Sequence, residues 1–422
     1  MKNFMSENSD NKPFKIPDLK LEPSNSPLNS FLINFKPNVE EFIILLLALV
    51  PHIRPNLLDS IVQKHIPAGG DFPEIGGVKG ENYRGMLPTG ESAQFILFGN
   101  DVANRLRITH YFSENHFFRK KNILHIDQVK SGEPVMSGKI ILSQEYVEIL
   151  TLGIVLPPAF SSEFPARRIE SQMNWNDLVL HQTTLEQVND IRTWLMYNKK
   201  LEEDPIISRK IKKGYRVLFY GPPGTGKTLT ASLLGNQFNK DVYRIDLSQV
   251  VSKYIGETEK NMEKVFSKAE NKDWILFFDE ADALFGKRSN VSSAHDKYAN
   301  QEVSYLLQRV EDYPGLIILA SNFKNNIDQA FIRRFNAIIH FPMPNADERF
   351  SIWQKNIPAS IPLNNGVLLK SYAQKYELSG SGITNIMQYA ALHALSNGQV
   401  ITRKDIEKGI NRELQKEDKM FH

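Results

Sequence analysis

The sequence contains no cysteine in its 422 residues. This absence excludes a disulfide framework, thiolate metal ligands and cysteine nucleophiles, and it agrees with a reducing cytosol. An excess of either charge is also lacking, because 51 Lys and Arg against 48 Asp and Glu leave a formal net charge of +3. The overall charge therefore favours neither nucleic acid nor an anionic membrane as a partner. The ten histidines include no H-x-x-x-H pair, so this signature of a metal site is missing.

Long apolar runs are lacking as well. The strongest run, Phe42–Val50, has nine residues, whereas a membrane-spanning helix needs about 20. It follows Glu40 and Glu41 and begins too far into the chain for the apolar part of a secretion signal. We interpret the run as a buried core helix. Together these absences predict a soluble, cytoplasmic protein with no membrane partner.

Composition and hydrophobic pattern divide the chain into five predicted segments. Residues 1–30 are rich in Asn, Ser, Pro and Lys and predict a disordered tail. Residues 31–165 predict a small α+β domain, in which helical patterns precede two short strands in an order compatible with a winged helix. Residues 166–205 are expected to form a linker that carries an amphipathic helix at about Thr184–Leu201. Residues 206–344 are expected to form an α/β domain and residues 345–422 an all-helical domain.

Five short apolar runs alternate with helical patterns in the predicted α/β domain. Runs of this length without polar alternation are typical of strands that are buried on both faces of a parallel sheet. The sequence therefore predicts a five-stranded parallel sheet with flanking helices. The predicted strands are Arg216–Tyr220, Asp241–Leu247, Trp274–Phe278, Gly315–Ala320 and Ala337–Phe341.

The first of these strands runs into the glycine-rich segment Gly221-Pro-Pro-Gly-Thr-Gly-Lys-Thr228. The segment fits the phosphate-binding pattern G-x-x-x-x-G-K-[ST], with a strand before it and a helix after it. Glycines let the backbone turn its N–H groups toward phosphates, and the N-terminus of the next helix favours negative charge. Lys227 can then reach the β- and γ-phosphates, while the Thr228 hydroxyl can bind Mg²⁺. The complete match predicts a nucleotide site rather than a structural turn.

Polar side chains end the third and fourth predicted strands. Asp279 and Glu280 come directly after Phe278, and Asn322 follows the fourth strand. Asp279 would lie near the metal, and Glu280 could orient and deprotonate the attacking water. Asn322 could hydrogen-bond that water or the γ-phosphate. The alternative is that Asp279 and Glu280 are only solvated acids at a strand end and that Asn322 only forms a turn. The phosphate-binding segment makes this alternative less favourable for the acidic pair.

Together these motifs resemble those of the AAA+ ATPases over residues 172–416. Gly221–Thr228 resembles the Walker A motif, Phe277–Asp282 the Walker B motif, and Asn322 the sensor-1 position. The resemblance implies a P-loop AAA+ module, in which the α/β domain is followed by an all-helical lid. It also implies ATP and Mg²⁺ as cofactors and ATP hydrolysis as the reaction.

The segment Ile332–Phe335 resembles the arginine-finger segment of the same family. There the arginines reach the nucleotide of the adjacent subunit, so the resemblance implies a homo-oligomeric ring, usually a hexamer. A guanidinium that is supplied by a neighbour stabilises charge on the transferring phosphate. We therefore expect Arg333 and Arg334 to act together with Glu280, Asn322 and Lys227 in catalysis.

Two further segments carry implied contacts with a client and with the nucleotide. Ser252–Glu257 resembles the pore loop of the family, which implies that Lys253, Tyr254 and Ile255 grip an extended protein client; from the residues alone, a surface turn is the simpler interpretation. The lid segment Ser379–Ile383 lacks the sensor-2 arginine of many relatives, so we expect steric or backbone sensing there. The nucleotide contacts predicted from motifs and resemblance together are Gly221, Pro222, Pro223, Gly224, Thr225, Gly226, Lys227, Thr228, Leu229, Asp177, Val179 and Gly380.

A narrower resemblance concerns mainly the N-terminal region. The segments Arg84–Glu91, Phe117–Arg119 and Phe164–Arg168, with His295–Gln301, are similar to the AAA ATPase encoded with extracellular contractile injection systems, which are phage-tail-like particles. This resemblance implies components of such a system as protein clients.

Three functions remain open at this point. The leading hypothesis is a ring ATPase that uses hydrolysis to remodel, unfold or assemble a protein. A nucleic-acid-binding regulator is the second, suggested by the winged-helix pattern and by Phe117–Lys121, but the near-neutral charge weighs against it. The third is a nucleotide-gated assembly scaffold in which ATP only holds the ring together, and the complete acidic pair makes this less favourable.

Overall fold

The computed structural model describes residues 25–65, 74–161, 164–247, 257–282, 304–322, 332–396 and 400–416. The chain divides into two units, Met1–Pro157 and Pro158–His422, each with its own internal packing. The first unit therefore ends earlier than the predicted boundary at residue 165. Phe164 and Ala166 explain the difference, because both are buried in a hydrophobic core of the second unit.

Short helices and two antiparallel strand pairs make up the described part of the first unit. Strand β1 pairs with β2, and β3 pairs with β4. The described residues are thus α+β, whereas the winged helix stays a prediction. The elements are α1 (Pro27–Phe35), α2 (Val39–Ile53), α3 (Leu57–His65), β1 (Val78–Lys79), β2 (Met86–Leu87), α4 (Gly90–Phe98), α5 (Val102–Arg107), α6 (Phe117–Lys120), β3 (Leu124–Ile126), β4 (Ile140–Leu142) and α7 (Gln144–Leu152).

Helix α1 corrects the predicted extent of the disordered tail. It begins at Pro27, a residue that suits the first helical position, and the Ser26 hydroxyl caps it. Phe31 and Leu32 on this helix are buried in the core of the first unit. A Pro- and Ser-rich composition that reads as a tail is here a helix start. Residues 1–24 lie outside the described residues.

Helix α2 carries the apolar run that the sequence predicts as a buried core helix. Asn38 and Glu41 form a capping box at its start, with both hydrogen bonds at 2.8 Å. Five residues of the run, among them Ile44, Leu45 and Leu49, are buried in the core, as expected. Among the described helices no single one is long and apolar enough to cross a membrane, and only α2 with α3, bent by 104°, reach that length together.

The second unit contains one sheet of six strands within the described residues. The spatial order is β10-β6-β9-β8-β7-β5, with all neighbours parallel except β5 and β7. The five predicted parallel strands are confirmed, and the antiparallel edge strand β5 is a correction to the predicted five-stranded sheet. The strands are β5 (Ala166–Ile169), β6 (Tyr215–Tyr220), β7 (Val242–Asp246), β8 (Ile275–Asp279), β9 (Leu316–Ser321) and β10 (Ala337–His340).

Helices cover both faces of this sheet, which explains the apolar runs of its strands. Helices α8 (Gln182–Glu203) and α9 (Lys227–Phe238) pack on one face, while α10 (Glu257–Lys272) and the helical residues 304–312 pack on the other. Alternate residues of β6 serve both cores, since Phe219 belongs to the first face and Leu218 to the second. The helix predicted at about Thr184–Leu201 is confirmed as α8, whereas residues 166–169, predicted to belong to a linker, instead form β5 of the sheet.

Helices dominate the end of the chain, as predicted for the lid. Their common core surrounds Trp353, which is fully buried. Asn345 and Glu348 form a capping box where the lid begins, with bonds of 2.9 Å. The lid helices are α11 (Ala346–Lys355), α12 (Leu369–Lys375), α13 (Gly380–Ser396) and α14 (Arg403–Lys416).

Candidate nucleotide site

The glycine-rich segment joins β6 to α9 as a tight loop. Gly221 and Gly224 have φ angles of +145° and +74°, which side chains other than glycine rarely adopt. A Cβ at Gly221 would lie 2.0 Å from the carbonyl oxygen of Phe341, and one at Gly224 would lie 2.0 Å from Ser381 Oγ. Both glycines are therefore required by conformation and by space. The loop ends where α9 begins at Lys227, so the helix N-terminus faces into the loop.

Lys227 is buried within this loop. Its Nζ donates hydrogen bonds to the carbonyl oxygens of Gly221 at 2.6 Å and Pro222 at 2.9 Å. Burial lowers the pKa of the Lys227 ammonium, while the carboxylates of Asp279 and Asp282 act in the opposite direction. The loop thus holds a cation where the phosphates of a nucleotide would lie.

The acidic pair lies at the carboxyl end of β8. Asp279 Oδ1 accepts the backbone N–H of Glu280 at 3.0 Å, and Asp279 Oδ2 pairs with Arg244 on β7 at 2.9 Å. Glu280 is exposed and has a φ angle of +51°, a left-handed conformation that is rare for residues other than glycine. The Ala281 N–H holds this turn by donating to the carbonyl oxygen of Ala320 at 2.8 Å. Such strained residues are concentrated at functional sites.

One open cavity of about 570 Å³ brings most of the predicted site residues together. Its volume lies within the range of about 300–1,000 Å³ that is usual for sites of small ligands. The loop, the acidic pair, Asn322, residues 177–181 and the start of α13 all line it. The predicted residues in its wall are Pro223, Gly224, Thr225, Gly226, Lys227, Thr228, Leu229, Asp177, Val179, Asp279, Glu280, Asn322 and Gly380.

The lid closes the cavity from one side by direct contact with the loop. The backbone N–H of Ser381 donates to the carbonyl oxygen of Gly224 at 3.2 Å. Ser379 Oγ lies 3.2 Å from Ser381 Oγ and accepts the N–H of Gly382 at 3.2 Å. Lys355 Nζ also bonds the carbonyl oxygen of Asn176. In the lid segment without a sensor-2 arginine, the contact with the loop is therefore a backbone hydrogen bond beside two hydroxyl groups. That the lid senses the nucleotide through this contact stays a prediction.

The donors in the cavity fit ATP with Mg²⁺. Thr228 and Asp279 both line it and offer hydroxyl and carboxylate oxygens, which Mg²⁺ prefers. In the described part of the chain no group of three or more His, Asp and Glu could hold a metal alone. Mg²⁺ is usually held by one or two protein oxygens together with the phosphates, and Thr228 and Asp279 offer two such oxygens. Apolar side chains of Leu178 and Ile352 offer a surface for a base.

The predicted finger arginines, Arg333 and Arg334, precede β10 and lie at the end of the sheet opposite the phosphate-binding loop. Asn336, just after them, donates its N–H to Arg216 O and accepts the Arg216 N–H, at the start of β6. Gly221 lies five residues further along, about 16 Å at the rise of an extended strand. Arg333 is exposed, and Arg334 pairs with Glu311 at 2.6 Å. Neither arginine lines the described cavity.

Several cavity residues were not predicted from the sequence. Ser381 and Thr384 enter the cavity from α13, and Glu348 enters it from α11. The sequence Ser379-Gly-Ser, at the start of α13, was the signal that could have indicated Ser381 and Thr384. Lys253, Tyr254 and Ile255, the predicted pore-loop residues, lie outside the described residues, as does His295–Gln301.

Comparisons with known proteins agree with the nucleotide site. Residues 217–343 match the model of the ATPase family associated with various cellular activities (AAA). The chain is 34% identical over 215 residues to the 26S proteasome regulatory subunit 6B homolog of Dictyostelium discoideum, covering 49% of this chain and 53% of that protein. It is 33% identical over 222 residues to an uncharacterized AAA family ATPase of Sinorhizobium fredii, covering 51% and 65%.

A longer alignment exists with the proteasome-activating nucleotidase of Methanoregula boonei, at 28% identity over 322 residues, covering 74% of this chain and 71% of that protein. By contrast, the chain spans only 53% and 65% of the lengths of the Dictyostelium and Sinorhizobium relatives.

Proposed function

We propose that this chain, which carries an AAA ATPase domain over residues 217–343, hydrolyses ATP to ADP and phosphate as an oligomeric ring and uses the reaction to remodel a protein client. The observation that carries the proposal is the cavity in which Lys227, Thr228, Asp279 and Glu280 meet. A cation, two oxygen ligands and a candidate base in one cavity are the groups that phosphoryl transfer to water requires.

Each side chain has a distinct task in this proposal. The Lys227 ammonium binds the β- and γ-phosphates, in place of the loop carbonyls to which it now donates. Thr228 and Asp279 would hold Mg²⁺, which neutralises developing charge on the phosphate oxygens. Glu280 accepts a proton from the attacking water while the water oxygen bonds to the γ-phosphorus. In the same step the bond between the γ-phosphorus and the bridging β-phosphate oxygen breaks. Asn322, in the same cavity, orients that water.

The proposal of a ring depends on the position of Arg333 and Arg334 in the fold. Because Arg333 and Arg334 are at the edge of the sheet away from their own P-loop, they would serve the site of an adjacent copy. A guanidinium in that position stabilises the transition state on the transferring phosphate. We propose a hexamer, in line with the family resemblance of the finger segment.

A protein client is favoured by two relatives whose names refer to the proteasome. In our proposal Lys253, Tyr254 and Ile255 contact this client. The N-terminal segments similar to the injection-system ATPase favour a client from such a particle, and this part of the proposal rests on that resemblance alone.

Steady-state phosphate release from ATP tests the reaction directly. We expect Glu280→Gln to bind ATP normally but to hydrolyse it about 10²–10⁴-fold more slowly, as for the loss of a general base. Lys227→Ala should instead lose ATP binding, because the phosphates lose their buried cation. Glu377→Gln is the matched control, since Glu377 is an exposed lid residue that does not line the described cavity. Near-wild-type turnover in Glu280→Gln would refute the assignment of the base.

A further inference from the structure

Arg244 occupies the carboxylate that the proposed function assigns to the metal. Strands β7 and β8 are parallel neighbours, with Arg244 opposite Phe277 and Asp246 opposite Asp279. From this register the guanidinium reaches forward to Asp279, where its Nη2 lies 2.9 Å from Oδ2. The other oxygen, Oδ1, already accepts the Glu280 N–H at 3.0 Å. Both oxygens of Asp279 are therefore engaged by the protein itself.

The arginine is incompletely bonded in this arrangement. Its Nε is buried and has no hydrogen-bond partner among the described residues. A buried donor without a partner destabilises the arrangement that contains it. The Arg244 side chain is 41% exposed, so water can replace Asp279 as the partner of its guanidinium.

The positive charges around Asp279 also disfavour holding Arg244 and a divalent cation on this carboxylate at the same time. The Lys227 ammonium acts on the cavity from the loop, and its interaction with Asp279 opposes the effect of its burial. A divalent cation at Asp279 would stand beside the Arg244 guanidinium as a second positive neighbour. Two such cations on one carboxylate repel each other strongly at short range. Because the two cations repel each other, each one weakens the binding of the other to Asp279.

We propose that Arg244 is an internal counter-ion that holds Asp279 in the absence of a divalent cation and competes with Mg²⁺ for its carboxylate. Arg244 is in this sense a positioning residue: it keeps Asp279 ordered in the empty site and sets how much Mg²⁺ the nucleotide site requires. The inference rests on the proposed role of Asp279 as a metal ligand. Nothing in the phosphate-binding or acidic motifs marks Arg244, because it lies within an otherwise ordinary strand.

The test is a Mg²⁺ titration of nucleotide binding, which needs no turnover. Fluorescent N-methylanthraniloyl-ATP is bound to the full chain carrying Glu280→Gln, and the Mg²⁺ concentration that gives half of the Mg²⁺-dependent change is measured. We expect Arg244→Gln to lower this concentration by about two- to five-fold, the size that a partly exposed ion pair supports, because the competing cation is gone. Arg244→Lys retains a charge but lacks the planar fork that reaches the carboxylate. It should lower the concentration by less than Arg244→Gln does.

Arg168→Gln is the matched control on the same edge of the sheet. Arg168 pairs with Glu170 and Asp241, each at 2.8 Å, and does not line the cavity. It should leave the Mg²⁺ requirement unchanged. Should Arg244→Gln fail to fold, as judged by circular dichroism, the lysine variant carries the test.

The outcomes separate this inference from the proposed function. An unchanged Mg²⁺ requirement in both Arg244 variants would overturn it, and so would a raised requirement, which would mean that Arg244 prepares Asp279 for the metal. If the parent protein binds no nucleotide at any Mg²⁺ concentration, the nucleotide site itself is wrong. If the parent protein binds nucleotide with a clear Mg²⁺ dependence that the Arg244 variants leave unchanged, only the inference about Arg244 fails.

Discussion

Replacing Gly224 with alanine should weaken ATP binding by separating the lid from the phosphate-binding loop. The new Cβ would lie 2.0 Å from Ser381 Oγ, 2.7 Å from Ser379 Oγ and 3.0 Å from Ser381 Cβ. The hydroxyls can rotate away, but the Ser381 Cβ contact still displaces the start of α13. This displacement weakens the bond from the Ser381 N–H to the Gly224 carbonyl oxygen, a loss of at most about 0.5–1.5 kcal/mol. The φ angle of +74° adds about 1–2 kcal/mol of strain for alanine. The sum sets an upper limit of roughly a few-hundred-fold on the weakening of ATP binding, because strain that the nucleotide-free loop also carries does not change the affinity.

The second substitution Ser381→Gly separates these two contributions. It removes the nearer hydroxyl, so Gly224→Ala/Ser381→Gly should recover the part of the loss that comes from the lid and keep the part that comes from φ. Dissociation constants of ATP from calorimetry, measured in Glu280→Gln to prevent turnover, give both numbers. Ser381→Gly alone is the control and should bind ATP nearly as the parent does. Binding by Gly224→Ala that equals the parent, or a double variant no better than Gly224→Ala, would refute the contact between lid and loop.

Two further predictions concern other parts of the chain. Tyr254→Ala should keep ATPase activity within a few-fold, which is about 1 kcal/mol or less in barrier height, and should abolish work on the client. Tyr254→Phe should keep both the ATPase activity and the work on the client. Full function in Tyr254→Ala with normal hydrolysis would favour the scaffold hypothesis. Burial first, and Arg119 second, lower the pKa of His125, so the native state should lose stability as the pH falls below about 6.5. Melting temperatures at pH 7.5 and 5.5 should differ less in His125→Gln than in the wild type, and an equal difference would contradict this.

Sequence patterns predicted the parallel strands because those strands are buried on both faces. Residues 217–219 of strand β6 form a continuous apolar run for this reason, and the glycine-rich continuation of the strand has a specific pattern of its own. The edge strand β5 has no such pattern, because Arg167 and Arg168 are exposed and only its pairing with β7 makes it a strand. That pairing depends on residues far away along the chain, which a local pattern does not contain.

The same distinction holds within the site. Lys227, Asp279 and Glu280 each belong to a short motif whose chemistry can be read from neighbouring residues. Arg244 and Ser381 reach the site only through tertiary contacts, from another strand and from the lid. The left-handed conformation of Glu280 also escapes the sequence, because a glutamate gives no local signal for a positive φ angle.

We propose that each catalytic site is built from two copies of the chain. The most direct measurement mixes Arg333→Ala/Arg334→Ala subunits with Glu280→Gln subunits and compares ATPase rates with either parent. Some interfaces in mixed rings then combine an intact Glu280 with intact arginines. We predict a rate clearly above both parents, since an arginine finger contributes about 10³-fold or more. If mixed rings demonstrably form and no mixture exceeds the parents, the arginines do not act on the neighbouring site.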